Sequence, residues 1–145
     1  LDVTIQAQVM DLIKELQDKY QTAMLLITHD MGVVAQVCDS VAVIYAGNIL
    51  EYGTKEQIFD HPSHPYTIGL FNSIPSMSED EEWLHPIDGL PPDPTDLPTG
   101  CPFSPRCSYA TEECKKGHIQ MSLTADGHQC RCCRLDEIKQ EGNKE

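Results

Sequence analysis

The chain has 145 residues, of which 40% are hydrophobic and 23% are charged, and its formal net charge is −13. This composition is that of a soluble globular chain, and its acidic balance argues against a nucleic-acid surface, which needs concentrated Lys and Arg. No apolar run approaches the roughly 18 residues of a membrane span, and no signal peptide opens the sequence. The chain begins Leu1-Asp2-Val3-Thr4 without a methionine, so we expect it to come from the interior of a longer polypeptide.

The first predicted elements are an amphipathic helix and a buried strand. The helix is indicated by apolar residues at helical intervals, namely Ile5, Val9, Leu12, Ile13 and Leu16. Residues 24–28 then have the composition of a strand covered on both faces, as in a parallel sheet. Ligands of open α/β sheets bind beyond the carboxyl ends of such strands, where His29 is placed. By position alone, His29 is either a ligand-binding residue or a structural one. A structural His29 would cap a helix or be hydrogen-bonded within the core.

A hairpin and three short helices are predicted next. A short helix is expected over residues 32–37, followed by strands over residues 40–45 and 49–53. Gly47 and Asn48 can take the positive φ that the tight turn between these strands requires.

Thr54 and Gln57 are three residues apart and predict a capping box at the start of another short helix. Pro65 is expected in the first turn of a helix over residues 65–73. From residue 76 the sequence becomes acidic and then proline-rich, which predicts a linker or a surface loop.

Six of the seven cysteines are concentrated near the end of the chain, between Cys101 and Cys133, while Cys38 stands alone. Without a secretory signal, such a group favours metal binding over disulfides, and reduced, unpaired thiols are the plainer alternative. The pattern lacks the CxxC pairs of zinc ribbons, so zinc is not strongly favoured. His118 and His128 flank the cysteines and are the alternative zinc ligands.

Several motifs together resemble the ATP-binding subunits of ABC transporters. Residues 1–8 (LDVTIQAQ), 26–35 (LITHDMGVVA), 41–47 (VAVIYAG) and 51–54 (EYGT) carry that resemblance. Residues 61–67 (HPSHPYT), 73–75 (SIP) and 100–107 (GCPFSPRC) narrow it to the oligopeptide and dipeptide importers. The resemblance covers nearly the whole chain.

The resemblance implies roles for two residues in an ATPase that uses ATP with Mg²⁺. His29 matches the switch histidine, which contacts the terminal phosphate and helps to hold the attacking water. Asp2 matches the D-loop, which crosses the interface between two ATPase subunits. The phosphate loop G-x-x-x-x-G-K-[ST], the Walker B residues and the signature motif are not in this sequence. The chain alone is therefore expected not to hydrolyse ATP.

The resemblance also implies a 4Fe–4S cluster on Cys101, Cys107, Cys114 and Cys132. The sequence departs from the family at Cys130 and Cys133, where apolar or aromatic residues are usual. Which of the three late cysteines is a ligand is thus open, and Cys132 is the one we predict.

The fold class implied is α/β, the C-terminal part of a P-loop NTPase core followed by an irregular cysteine-rich extension. The expected domains are residues 1–75 of the ATPase domain, a proline-rich linker over 76–100, and the extension over 101–145. The expected function is that of a peptide-import ATPase subunit on the cytoplasmic face of the cell membrane. Its partners would be permease subunits, a second ATPase subunit and, indirectly, a substrate-binding protein. The alternatives are a stand-alone metal-binding or iron–sulfur regulatory module without ATPase activity, and a redox carrier.

Overall fold

The structure is a computed structural model that describes residues 3–74 and 86–142. It divides into two compact units, residues 1–39 and 40–145, which we describe separately. Asp2 and part of the predicted linker lie outside the described residues, and the predicted domain boundaries at residues 75 and 100 stay predictions. In the described part of the chain, no helix is both long and apolar enough to span a membrane.

The first unit contains two helices, α1 (Val3–Tyr20) and α2 (Met31–Val37). The apolar stripe that predicted α1 is largely exposed, with Ile5, Leu12 and Leu16 between 43% and 54% accessible. Helix α2 begins one residue before the predicted start at residue 32, because Asp30 is its N-cap. The Asp30 carboxylate accepts a hydrogen bond from the Val33 N–H at 3.1 Å, and this bond keeps the pKa of Asp30 below its ordinary value.

The prediction of a buried parallel strand over residues 24–28 is wrong. These residues are not assigned to any strand, and Leu25 and Ile27 are 88% and 89% exposed. A parallel strand obtains its hydrogen bonds and its cover from neighbouring elements, and no strand in the described ranges pairs with this segment. The doubly wound core expected around it is accordingly not formed by the described residues.

The second unit is organised by the predicted hairpin. Strands β1 (Ser40–Tyr45) and β2 (Asn48–Thr54) pair antiparallel, with an irregularity between Val43 and Ile44. The positive φ values fall on Ala46 (46°) and Gly47 (73°), one residue earlier than predicted.

Two short strands of the cysteine-rich segment extend this hairpin. They are β3 (Ser122–Leu123) and β4 (Gln129–Cys130), and the sheet order is β1-β2-β4-β3. All three pairings are antiparallel, so the sheet described here differs from the parallel sheet that was expected.

Short helices follow the hairpin. Helix α3 (Lys55–Asp60) opens with the predicted capping box of Thr54 and Gln57, and α4 (Pro65–Asn72) has His64 as its N-cap. The imidazole Nδ1 of His64 accepts a hydrogen bond from the Tyr66 N–H at 3.0 Å. Later in the chain are two 3₁₀ turns, Ser104–Arg106 and Glu112–Lys115, and a final helix, α5 (Leu135–Gly142).

One hydrophobic core joins the hairpin to the cysteine-rich segment. Tyr45 and Leu50 of the hairpin are buried together with Cys101 and Phe103. The Tyr45 ring lies 4.6 Å from the Tyr66 ring and 5.5 Å from that of Phe103, centroid to centroid. Within the described residues, the cysteine-rich segment therefore completes the core of the hairpin.

Candidate metal centre

Five cysteines line one pocket of the second unit. Cys101 and Cys107 flank the first 3₁₀ turn, Cys114 lies within the second, and Cys132 and Cys133 follow β4. None of the seven cysteines, all of which are described, is in a disulfide. The structure thus brings the four predicted ligands, together with Cys133, to a common place.

A glycine allows the ligand-bearing segments to cross. The Cys101 N–H donates a hydrogen bond to the carbonyl oxygen of Cys114 at 2.8 Å. A Cβ atom at Gly100 would lie only 2.1 Å from the same oxygen. Any side chain at position 100 would therefore separate the two segments and draw Cys101 away from Cys114.

Backbone N–H groups face two of the sulfur atoms. The Arg134 N–H donates to Cys132 Sγ at 3.4 Å, and the Thr111 N–H donates to Cys114 Sγ at 3.5 Å. Hydrogen bonds of this kind favour thiolates over thiols and orient metal-binding sulfurs.

The thiols differ in how their environment affects protonation. Burial raises the pKa of Cys101 and of Cys107, and it raises that of Cys132 to about 12. Burial also acts to raise the pKa of Cys114. Hydrogen bonds from the Thr111 N–H and hydroxyl and from Cys133, together with the charge of Arg134, outweigh it and hold this pKa below its ordinary value. Without a bound metal ion, the thiols whose pKa burial raises therefore stay protonated at neutral pH.

Arg134 contributes positive charge to the pocket. Its guanidinium lines the same pocket and acts to lower the pKa of Cys114. Its Nε atom is buried and has no hydrogen-bond partner among the residues of the described ranges. Another nitrogen of the same guanidinium, Nη2, donates to the Glu137 carboxylate, which does not line the pocket. The Nε donor remains available to an anionic occupant such as a thiolate-bound centre.

These residues fit a thiolate-bound metal centre by their chemistry, since they supply soft sulfur donors, N–H groups and a cation. Within residues 3–74 and 86–142, however, no group of three or more His, Cys, Asp or Glu residues is arranged to hold a metal ion. The sulfurs face a shared pocket without surrounding one position, so metal binding at the predicted ligands stays a prediction.

The structure distinguishes among Cys130, Cys132 and Cys133, for which the sequence did not decide which is a metal ligand. Cys130 is fully buried in β4, where it pairs with Glu51 and Ser122, and it does not line the pocket. Cys132 and Cys133 both line it.

The two histidines considered as zinc ligands are placed elsewhere. His118 is exposed and lies 2.9 Å from an Arg131 nitrogen, and His128 contacts Glu51.

The buried carboxylate of Glu51 is a feature that the sequence did not reveal. Glu51 is 0% exposed, and it accepts hydrogen bonds from the N–H groups of Ser63 (2.6 Å) and His64 (2.9 Å). His128 Nε2 lies 2.7 Å from the same carboxylate. Glu51 therefore joins β2, the start of α4 and the β3–β4 pair. The sequence feature that could have indicated this burial is the position of Glu51 among the apolar residues of the strand predicted over residues 49–53.

His29 belongs to the first unit, whereas the cysteine pocket belongs to the second. It is exposed and comes directly before Asp30, the N-cap of α2. The Asp30 N–H donates to the Thr28 hydroxyl at 3.0 Å, which fixes the backbone on both sides of His29. An exposed imidazole on a fixed turn is free to contact a ligand supplied from outside the described residues.

Comparison with known proteins identifies the relatives of the chain. Residues 50–114 match the family described as "Oligopeptide/dipeptide transporter, C-terminal region". This segment of the chain belongs to that family. The matched segment begins in β2 of the hairpin and ends at Cys114, so it contains the Glu51 carboxylate, α3, α4 and three of the four predicted ligands.

Individual relatives agree with the family. The chain is 54% identical over 140 residues to the oligopeptide transport ATP-binding protein OppD of Haemophilus influenzae, covering 96% of this chain and 42% of that protein. It is 47% identical over 137 residues to the dipeptide transport ATP-binding protein DppD of Bacillus subtilis, covering 94% and 41% respectively. The chain thus spans about two fifths of the length of these relatives.

Proposed function

We propose that the chain is the C-terminal portion of the ATPase subunit of a peptide importer, which couples ATP hydrolysis to the uptake of oligopeptides or dipeptides across the cell membrane. The observation that carries this proposal is the match over almost the whole chain to proteins named as oligopeptide and dipeptide transport ATP-binding proteins. ATP and Mg²⁺ would bind to the longer protein, whose phosphate-binding motifs are not in this sequence.

His29 is the residue of this chain that would act on ATP. Its imidazole would donate a hydrogen bond to the terminal phosphate and position the attacking water. A single donor aimed at charge that develops in the transition state contributes about 3 kcal/mol to catalysis. The exposed position of His29, next to the capped start of α2, supports this role because the ring is accessible while its backbone is held.

The partners follow from the same proposal. Asp2, as part of the D-loop, would contact a second ATPase subunit. The pair of ATPase subunits would bind permease subunits at the cytoplasmic face of the membrane, and a substrate-binding protein would deliver the peptide. The net charge of −13 gives no support to a nucleic-acid partner.

The test of the ATPase proposal is His29→Ala in the intact protein, assembled with its permease. Hydrolysis should fall by about 100-fold while ATP binding is retained, because the lost contact acts on the transition state. His61→Ala, at another exposed histidine, is the matched control and should leave hydrolysis unchanged. Equal hydrolysis rates in the two variants would contradict the role of His29.

We further propose that Cys101, Cys107, Cys114 and Cys132 bind a 4Fe–4S cluster. Support comes from their common pocket, from the N–H groups that face two of the sulfurs, and from the orphaned Nε of Arg134. When bound, the cluster would cross-link the segments that carry the four cysteines and supply a one-electron redox centre. The chain's own part is to present four thiolates and to offset their charge with Arg134.

The test of the metal centre is anaerobic purification of the intact protein, followed by iron, sulfide and zinc analysis. We expect broad visible absorption with iron and sulfide in equal amounts, and its loss in Cys107→Ser. The control is Cys38→Ser, in the first unit and far along the chain from the pocket. A colourless protein that contains zinc would overturn the cluster but keep a metal site, and a metal-free protein would overturn both.

A further inference from the structure

Two of the pocket thiols are in direct contact. Cys114 Sγ and Cys133 Sγ lie 3.3 Å apart, which is closer than two unbonded sulfur atoms usually approach. Cys133 is exposed, whereas Cys114 is only 7% accessible. Five cysteines line a pocket for which four ligands are predicted, so Cys133 is the thiol left without an assigned role.

We propose that Cys114 and Cys133 are a redox-sensitive pair that forms a disulfide when the pocket holds no metal. The inference goes beyond the proposed function, because it requires neither ATP hydrolysis nor a cluster. It makes the pocket a modification site as well as a metal site, and the two states exclude each other because both need the sulfur of Cys114.

The oxidant is a peroxide, with hydrogen peroxide as the simplest case. The exposed Cys133 sulfur attacks one peroxide oxygen as its thiol gives up its proton, the O–O bond breaks, and a sulfenic acid and one water are formed. The sulfur of Cys114 then attacks Cys133 Sγ, the S–S bond forms and the S–O bond breaks, releasing a second water. In total, two thiols and one peroxide give one disulfide and two waters, so the two sulfurs lose the two electrons that the peroxide gains.

The geometry favours this pair over the neighbouring alternative. Adjacent residues have Cα atoms about 3.8 Å apart, below the range of about 4.4 to 6.8 Å that disulfides normally span. A bond between Cys132 and Cys133 would therefore distort the backbone. Cys114 comes from a separate 3₁₀ turn, and its sulfur already touches that of Cys133. Forming the bond requires the two sulfurs to approach from 3.3 Å to about 2.05 Å.

Formation of the disulfide would affect metal binding directly. Cys114 is one of the four predicted ligands, and its oxidation leaves Cys101, Cys107 and Cys132 as the remaining set. Oxidised protein should therefore fail to acquire a metal centre until it is reduced. A bound centre should in turn protect Cys114 from oxidation.

The experiment maps disulfides in the intact protein after removal of metal with a chelator and reductant. The protein is treated with a small excess of hydrogen peroxide, free thiols are alkylated, and tryptic peptides are analysed by mass spectrometry. We expect the peptide containing Cys114 to be joined to the peptide Cys132-Cys133-Arg134, with a mass two hydrogens below the sum. The peptide that contains Cys114, residues 107–115, also carries Cys107, and the second peptide carries both Cys132 and Cys133. Variants are therefore needed to assign both partners: the cross-link should persist in Cys107→Ser and disappear in Cys114→Ser.

Cys132→Ser and Cys133→Ser are a matched pair of variants for this purpose. The cross-linked peptide should persist in Cys132→Ser and disappear in Cys133→Ser, and circular dichroism of each variant checks that the fold is retained. The proposal is overturned if the wild-type protein gives no cross-link to Cys114, or if the cross-link survives in Cys133→Ser. Metal content is measured separately before chelation, so failure of the cluster proposal would be distinguished from failure of this one.

Discussion

The buried carboxylate of Glu51 should be a major determinant of the stability of the second unit. Glu51→Gln keeps the shape of the side chain but replaces one acceptor oxygen with an NH₂ group. In the structure both oxygens accept hydrogen bonds, from Ser63 and from His64. The new amide would therefore place a donor against a backbone N–H, and the negative charge beside His128 would be lost.

The expected cost follows from the number and type of these contacts. A hydrogen bond to a charged group contributes about 1.5 to 3 kcal/mol, and removing one partner also leaves a buried donor unsatisfied. Because Gln retains one acceptor oxygen, we expect a loss of about 2 to 3 kcal/mol in the free energy of unfolding. Glu51→Ala removes both acceptors and should cost about 3 to 5 kcal/mol.

The assay is equilibrium unfolding in urea, followed by circular dichroism at neutral pH. The matched control is Glu56→Gln at an exposed carboxylate in the first turn of α3, which should leave the unfolding midpoint close to that of the wild type. A double-mutant cycle with His128→Gln should give a coupling energy of about 1 to 3 kcal/mol. If Glu51→Gln has the midpoint of the wild type, or if the two mutations are additive, the carboxylate does not hold these elements together.

Three further predictions concern residues around the pocket. Burial lowers the pKa of His64 from 6.5 to about 4, so between these pH values the unfolded chain binds a proton at His64 and the folded chain does not. About 3 kcal/mol of stability should therefore be lost as the pH falls from 6.5 to 4. Unfolding midpoints measured across this range should depend less on pH in His64→Asn, which keeps an N-cap acceptor. Gly100→Ala should cost about 1 to 3 kcal/mol, because its Cβ would overlap the Cys114 carbonyl oxygen, and a thermal melt equal to that of the wild type would refute the close crossing. Arg134→Gln should lower the midpoint potential of a bound cluster in an optical redox titration, because the loss of positive charge disfavours the reduced state. Arg134→Lys should recover part of the difference. Equal potentials in Arg134→Gln and the wild type would argue against electrostatic compensation by Arg134.

The elements that could be predicted from the sequence are those fixed by nearby residues. The β1–β2 hairpin, the Thr54–Gln57 capping box and the helix that begins at Pro65 all have their signals within a few positions of the structure they form. The grouping of cysteines was likewise visible as a local concentration in the sequence. Each of these features needs no information from distant parts of the chain.

The features that could not be predicted depend on partners far away in the sequence. Residues 24–28 have the composition of a covered strand, but composition does not supply the neighbours that would cover it. The pairing of β4 with Glu51 and Tyr52 joins residues nearly 80 positions apart, and β4 contains only two residues. The burial of Glu51 was missed for the same reason, since its partners Ser63, His64 and His128 come from other segments.

The hairpin and the cysteine pocket are best understood as one folding unit. Cys101 is buried in the same core as Tyr45 and Leu50, and the N–H of Arg131, directly before Cys132, donates to the Leu50 carbonyl oxygen at 2.8 Å. The family match begins at Leu50 and ends at Cys114, so it spans both parts of this unit. Binding free energy gained at the pocket would therefore also stabilise the hairpin, because the residues that carry the ligands complete the hairpin's core and extend its sheet.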